Sequence, residues 1–199
     1  LTRLAACPAA ANLTRFDGRF ELTPATLDAV KRFPKLATLT CLGSAADDEI
    51  LGRLTELPGL KALNLYSFGL DGKVSDKGRA ALTGLGLTSL GLTNSTVDPA
   101  FARRIAAMPT LTYVMLYGKS GSDDNLAEIA RSATLTRVTL FAAPVTDAGL
   151  QHLHAMRPLR SLNLKGTTVT ADGVKKLAAA RPECQIEWDG APIEPTKKP

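Results

Sequence analysis

Leu159-Arg160-Ser161-Leu162-Asn163-Leu164 has the form L-x-x-L-x-L, and close variants of it return along the chain. Copies start at Leu36, Leu60, Leu87, Leu111, Leu135 and Leu159, with a degraded last copy at Glu183. The steps between them are 24, 27, 24, 24, 24 and 24 residues. Self-similarity at such a period is the signature of a solenoid, whose repeats bury their apolar faces only against one another. An array of this kind offers an extended surface rather than a deep pocket, so function is sought on that surface.

Each copy carries two apolar rhythms. The first is a strand, seen as Leu111, Val114, Leu116 and again as Leu135, Val138, Leu140, with the last two members alternating with polar residues. The second follows five residues later: Val145, Leu150, Leu153 and Met156 recur as Val169, Val174, Leu177 and Ala180, and as Val97, Ala102, Ile105 and Met108. The spacing of three between the last members places them on one helical face. Thr146-Asp147, Thr170-Ala171-Asp172 and Asp98-Pro99 are helix starts, and the acidic groups Asp47-Asp48-Glu49 and Asp123-Asp124 are expected to cap the helices they begin. Pro58, Pro109, Pro158 and Pro182 stop the helices. One repeat is therefore strand, loop, short helix and turn. The expected fold is α/β, a horseshoe or arc with a concave parallel sheet and convex short helices.

With its helix entry Val145-Thr146-Asp147-Ala148-Gly149-Leu150, the chain resembles the leucine-rich-repeat family, in particular its 24-residue V-T-D-A-G-L class, which includes ribonuclease-inhibitor-like and bacterial arrays. The resemblance covers nearly the whole chain. It implies protein binding, usually on the concave strand face. Many members carry Asn or Cys three residues after the last strand leucine, bonding loop backbone. Here those positions are Ser95, Lys119, Ala143 and Thr167, where the hydroxyls can substitute and the other two side chains cannot.

Residues 1–190 read as a single solenoid domain of seven to eight repeats, with 191–199 a disordered tail rich in Pro and Lys. Leu1, Leu4, Cys7 and Pro8 match the helical rhythm of Ala102, Ile105, Met108 and Pro109, so the chain is expected to open inside a repeat of a longer protein. The copy from Leu13 to Phe33 is irregular, with Gly18 at a strand leucine position. At the other end Trp188 reads as a plug for the last rung. Cys41 and Cys184 lie six rungs apart, about 29 Å at the spacing of parallel strands, too far for a disulfide. They and Cys7 read as buried small hydrophobes.

Catalysis is not expected. His152 and His154, the chain's histidines, diverge by about 200° on a helix and cannot share a metal. Gly118-Lys119-Ser120-Gly121 lacks the spacing of a phosphate loop. No cofactor is implied. The net charge of +5 is spread without a dense basic run or a nucleic-acid motif, so no nucleic acid is expected. No apolar run reaches the length of a membrane span. The default expectations are a monomer in the cytoplasm.

The residues between and just after the strand leucines face outward, and aromatics gather there. Tyr66, Tyr113, Met115, Tyr117 and Phe141 fall on this face, with Arg137, Asn163 and Lys165 beside them. Small residues Ser89, Gly91 and Thr93 leave a dip between Tyr66 and Tyr117. Exposed aromatics flanked by Arg are the composition of an interface hot spot, so a protein partner is expected to bind here. The 27-residue repeat adds a loop, with Phe68 and Leu70 either folded over the rim or touching the partner. The expected role is a non-catalytic protein-interaction module; the alternative is the substrate-recognition arm of a larger enzyme whose catalytic domain lies outside this chain.

Overall fold

A computed structural model describes residues 11–70 and 72–191. The readings made of Leu1, Leu4 and Cys7, and of the tail from Pro192 onward, lie outside the described residues. The chain divides into two compact units, Leu1–Thr96 and Val97–Pro199.

In the first unit the order is β1 (Arg15–Glu21), α1 (Pro24–Val30), β2 (Thr38–Leu42), α2 (Asp48–Arg53) with a 3₁₀ turn at Leu54–Glu56, β3 (Ala62–Tyr66), α3 (Asp76–Thr83) and β4 (Ser89–Thr93). The four strands are parallel and pair in chain order. β3 and β4 stay in register residue for residue; the loop before α3 is four residues longer than the loop before α2, and the stretch from the start of α3 to β4 is one residue shorter than that from α2 to β3, which together make the 27-residue step.

In the second unit the order is α4 (Pro99–Ala106), β5 (Tyr113–Tyr117), a 3₁₀ turn at Gly118–Ser120, α5 (Asp123–Ile129), β6 (Arg137–Thr139), α6 (Asp147–Leu153), β7 (Ser161–Asn163), α7 (Ala171–Ala180) and β8 (Gln185–Glu187). Its strands are likewise parallel and in sequence order, with Tyr113, Arg137, Ser161 and Gln185 side by side.

Both apolar rhythms fill the cores. Leu63, Leu65, Leu90, Leu92, Val114, Leu116, Val138, Leu140 and Leu162 are fully buried, and Cys41 is buried in a leucine position. Leu27, Val30, Ile105, Leu153 and Leu177 bury the helical stripe against them. Val97 and Val169 are only half-buried, and Ala180 is exposed, which corrects the helical pattern at these places. After α7 the strand β8 follows, but among the described residues no further helix follows to cover Val169 and Ala180. Trp188 is half-buried rather than a core plug; its indole N–H donates to the Ala191 carbonyl at 3.0 Å. Cys41 and Cys184 are buried and free, and loss of hydration pushes their thiols up to about 12 and about 11.

The helix entries at Asp47, Asp98, Thr146 and Thr170 are capped as expected, and those at Asp48 and Asp123 add a contact that differs from the expectation. The caps are Asp47, Ser75, Asp98, Ser122, Thr146 and Thr170. The acidic residue that follows the cap reaches forward to the next repeat instead. Asp123 accepts the Thr146 N–H at 2.8 Å and the Thr146 hydroxyl at 2.6 Å. Asp147 does the same to Thr170, at 2.8 and 2.6 Å. In the first unit Asp48 accepts from the N–H (2.8 Å) and hydroxyl of Ser75, and from the Gly78 N–H at 3.0 Å.

Each of these carboxylates needs room at the third residue of the next helix, and a glycine stands there. A Cβ on Gly78, Gly149 or Gly173 would overlap the carboxylate of Asp48, Asp123 or Asp147. Where proline opens the helix, at Pro24 and Pro99, the following repeat carries Ile50 and Asn125 at that third position. Asn125 then makes the inter-repeat bond in the reverse direction, donating Nδ2–H to the Val97 carbonyl at 3.0 Å.

The loop position marked by the resemblance is served by Ser95, whose hydroxyl oxygen accepts the Phe68 N–H at 3.1 Å and donates to the Thr93 carbonyl at 3.1 Å. The Thr167 hydroxyl donates to the Leu164 carbonyl at 2.6 Å.

Gly149→Ala is expected to destabilise the protein by about 1 to 3 kcal/mol, since the added methyl displaces a bonded carboxylate. Because the clash is with Asp123, the double variant Asp123→Ala/Gly149→Ala should lose less than the sum of the single losses in denaturant titrations. Leu116→Ala should cost about 2 to 5 kcal/mol by opening a cavity.

Hydrogen bonds from Thr170 and Ser75 hold the Asp147 and Asp48 carboxyls below their ordinary value of 3.8. A depressed folded-state pKa gives stability that is complete above the unfolded value and is lost as pH falls below it. The melting temperature should therefore drop as the pH is lowered below about 4, and the drop should be smaller in Asp147→Ala.

Candidate functional site

The strand ladders carry their outward residues as fixed columns. Within the second unit Tyr113 stands beside Arg137 and Ser161, and Met115 beside Thr139 and Asn163. Pairing continues past the strand ends: Gly118 N–H donates to the Phe141 carbonyl (3.0 Å) and Ala142 N–H to the Lys165 carbonyl (2.8 Å). Tyr117, Phe141 and Lys165 are thereby held as a third column. Ala142 turns the chain out of the strand in the left-handed region, φ 51°, where Gly118 and Gly166 stand in the neighbouring repeats.

Three sets of contacts result. Tyr117 and Phe141 stack with ring centroids 5.3 Å apart and planes 13° from parallel, and Phe141 remains 39% exposed. The Arg137 guanidinium carbon lies 4.3 Å from the centre of the Tyr113 ring, and the Tyr113 hydroxyl donates to Thr139 Oγ1 at 3.4 Å. Asn163 donates to Glu187 at 3.2 Å, and Lys165 pairs with the same carboxylate at 3.4 Å. The face thus runs from an aromatic platform, across a cation set on a ring, to a charged pair whose signs cancel. Met115 is half-buried between the outer columns.

In the first unit Tyr66 is 41% exposed at the end of β3, and Leu70 is 44% exposed. For Phe68 the structure decides between the two readings left open, in favour of folding back into the protein. It is fully buried. Ser67, at φ 57°, turns the chain inward, and Ser95 and Thr96 bond the Phe68 N–H and carbonyl, so the ring enters the stack. The leucine alignment did not reveal this, because an inserted loop has no counterpart in the other repeats. Asp17 and Arg19 at β1 were also missed, since no repeat pattern marks them.

Parallel strands in chain order, each delivering its leucines to the core and followed by a helix, decide the architecture. The fold is an α/β leucine-rich-repeat solenoid. No family model matches the chain, and no curated protein matches it. Among solved structures it is similar to a protein from Bacteroides fragilis, with a TM-score of 0.57 and 14% identity over 94% of this chain and 68% of that one. At that identity the likeness concerns the fold alone. An internalin from Listeria monocytogenes gives a TM-score of 0.39 and 13% identity over 83% of this chain and 57% of its own. A leucine-rich-repeat protein from Leptospira interrogans gives 0.44 and 16% over 80% and 45%. This chain spans about half the length of the latter two.

Positive φ at a residue with a Cβ is strained, so Ala142→Gly should stabilise the repeat by about 0.4 to 1 kcal/mol. Thermal melts of the single variant check this, and a loss of stability there would mean that the left-handed turn after Phe141 is wrongly placed.

Proposed function

We propose that the chain is a non-catalytic protein-interaction module that binds a protein partner on its outward strand face, through Tyr113, Met115, Tyr117, Arg137, Phe141, Asn163 and Lys165. The observation that carries this reading is the stacked, part-exposed Tyr117–Phe141 pair beside Arg137 on Tyr113. None of these side chains is needed to close the leucine core, and aromatic residues with Arg are the common anchors of interfaces. Rings fixed by neighbouring strands lose little conformational freedom on binding. Tyr66 and Leu70, exposed in the first unit, are contacts of the same kind.

The repeats are read as the 24-residue V-T-D-A-G-L class. The support is the spacing together with the roles of Thr146, Asp147 and Gly149 at the helix entry. Protein is favoured over nucleic acid because part of the basic charge is engaged in ion pairs, Arg103 with Glu128 at 2.9 Å, Lys176 with Asp172 at 2.7 Å and Lys165 with Glu187 at 3.4 Å. Nucleic-acid binding requires several cations free to meet phosphates. The module is read as a monomer.

The test is the triple variant Tyr113→Ala/Tyr117→Ala/Phe141→Ala. Proteins that the wild type captures and the variant does not are then titrated in purified form. Loss of about 2 kcal/mol, roughly a thirtyfold weaker affinity, is expected for hot-spot residues. Unchanged affinity with an unchanged circular dichroism spectrum contradicts the reading.

A further inference from the structure

β1 holds a feature that the aromatic platform does not account for. It pairs with β2 at Arg15, Phe16 and Asp17, and the next partners are Glu21 and Leu42. Four steps along β1 thus cover two along β2, from Thr40 to Leu42, and the surplus around Gly18 and Arg19 arches away. Phe20 folds back on Gly18, where a Cβ would lie 2.8 Å from its ring, and tilts against Phe16 with centroids 5.3 Å apart. The arch leaves a hollow of about 510 Å³ on the strand face. Asp17 and Arg19 form one wall, Thr40 and Leu42 of the intervening strand form the floor, and Tyr66 and Ser67 form the other wall. That size lies within the range of ligand-binding pockets.

The charges of the hollow are unequal in what they already touch. Asp17 accepts from Arg15 Nε at 2.5 Å, and the Thr40 hydroxyl together with Arg15 keeps its carboxyl below the ordinary range. Glu21 is also occupied: it accepts from the Ser44 hydroxyl at 2.8 Å and the Ala45 N–H at 3.1 Å. Arg19 is exposed and has no acceptor among the described residues. The uncompensated group among the described lining residues is therefore the Arg19 guanidinium, beside a floor that Leu42 makes partly apolar and opposite the exposed Tyr66 ring.

We infer that this hollow is a docking site for a peptide segment of a protein partner, one acidic side chain pairing with Arg19 and an adjacent apolar side chain resting on Leu42 and Tyr66. A guanidinium presents a planar fork that matches a carboxylate. A run of phosphates fits less well, since among the described residues lining the hollow Arg19 is the one cation and Asp17 shares the same wall, whereas phosphate tracts need several cations. The site is independent of the second unit's platform.

The test is an NMR titration of the ¹⁵N-labelled chain with blocked Gly-Leu-Glu-Leu-Gly, blocked Gly-Leu-Lys-Leu-Gly and an octathymidine oligonucleotide. The acidic peptide should shift the amides of Gly18, Arg19, Thr40 and Ser67 saturably. The basic peptide and the oligonucleotide should leave them in place. Arg19→Glu should weaken the acidic peptide at least tenfold and leave the rest of the spectrum unchanged, because the exposed side chain makes no hydrogen bond or ion pair among the described residues. The triple platform variant should bind the peptide as the wild type does, so loss of one site is distinguishable from loss of the other. Absence of saturable shifts, equal shifts with the basic peptide or the oligonucleotide, or an unaltered titration with Arg19→Glu overturns the inference.

Discussion

Asp48, Asp123 and Asp147 each stand at the first residue of a helix and bond the cap of the next one. A helix start exposes N–H groups that require acceptors, and a solenoid places one start above another at a fixed spacing. A carboxylate there does two jobs, complementing the positive end of its own helix and bonding the cap residue of its neighbour. The glycine at the third helical position makes the room. Because the cap, the carboxylate and the glycine sit at set distances from the strand leucines, the same contact that joins the helices also keeps the strands from slipping. Where Pro99 removes the carboxylate, Asn125 restores the link from the other side, so the connection between helix entries survives the exchange of chemistry.

With the register held, the strand face is free of structural duty. Leucine and valine at the inward positions carry the core. The outward columns can then hold aromatic and charged side chains without loss of the fold, as Tyr117, Phe141 and Arg137 do in the second unit. The left-handed turn at Ala142 directly after Phe141 is a local strain that the ladder on both sides sustains. In the first unit the departure from regularity is in β1, whose surplus residues open the hollow beside Tyr66.

Most of the architecture was legible because apolar periodicity reports contacts within one repeat and its copies. Leu135, Val138 and Leu140 announced a strand, and Leu150 and Leu153 a helical stripe, without reference to anything distant. The outward columns followed from the same alternation. Asp47 caps its own helix as expected, but Asp48 and Asp123 bond forward instead, since a contact with a residue 23 or 27 positions ahead leaves no local trace. The glycine of V-T-D-A-G-L is its only sequence mark, and it makes sense only once the preceding repeat is stacked on it. Phe68 was undecided for a related reason: its burial depends on Ser95 in the next repeat and on a turn peculiar to one loop. Ala180 failed because periodicity assumes a following repeat to cover each face.

The carboxylate link is accessible to native-state hydrogen exchange. Ser75, Thr146 and Thr170 sit at exposed loop positions, where amides bonded only to water would exchange freely. If their N–H groups are held by Asp48, Asp123 and Asp147, they should exchange at least tenfold more slowly than unbonded loop amides. In Asp147→Ala that protection should vanish at Thr170 and persist at Ser75. Free exchange at all three positions in the wild type, or protection at Thr170 that survives the substitution, would contradict the account.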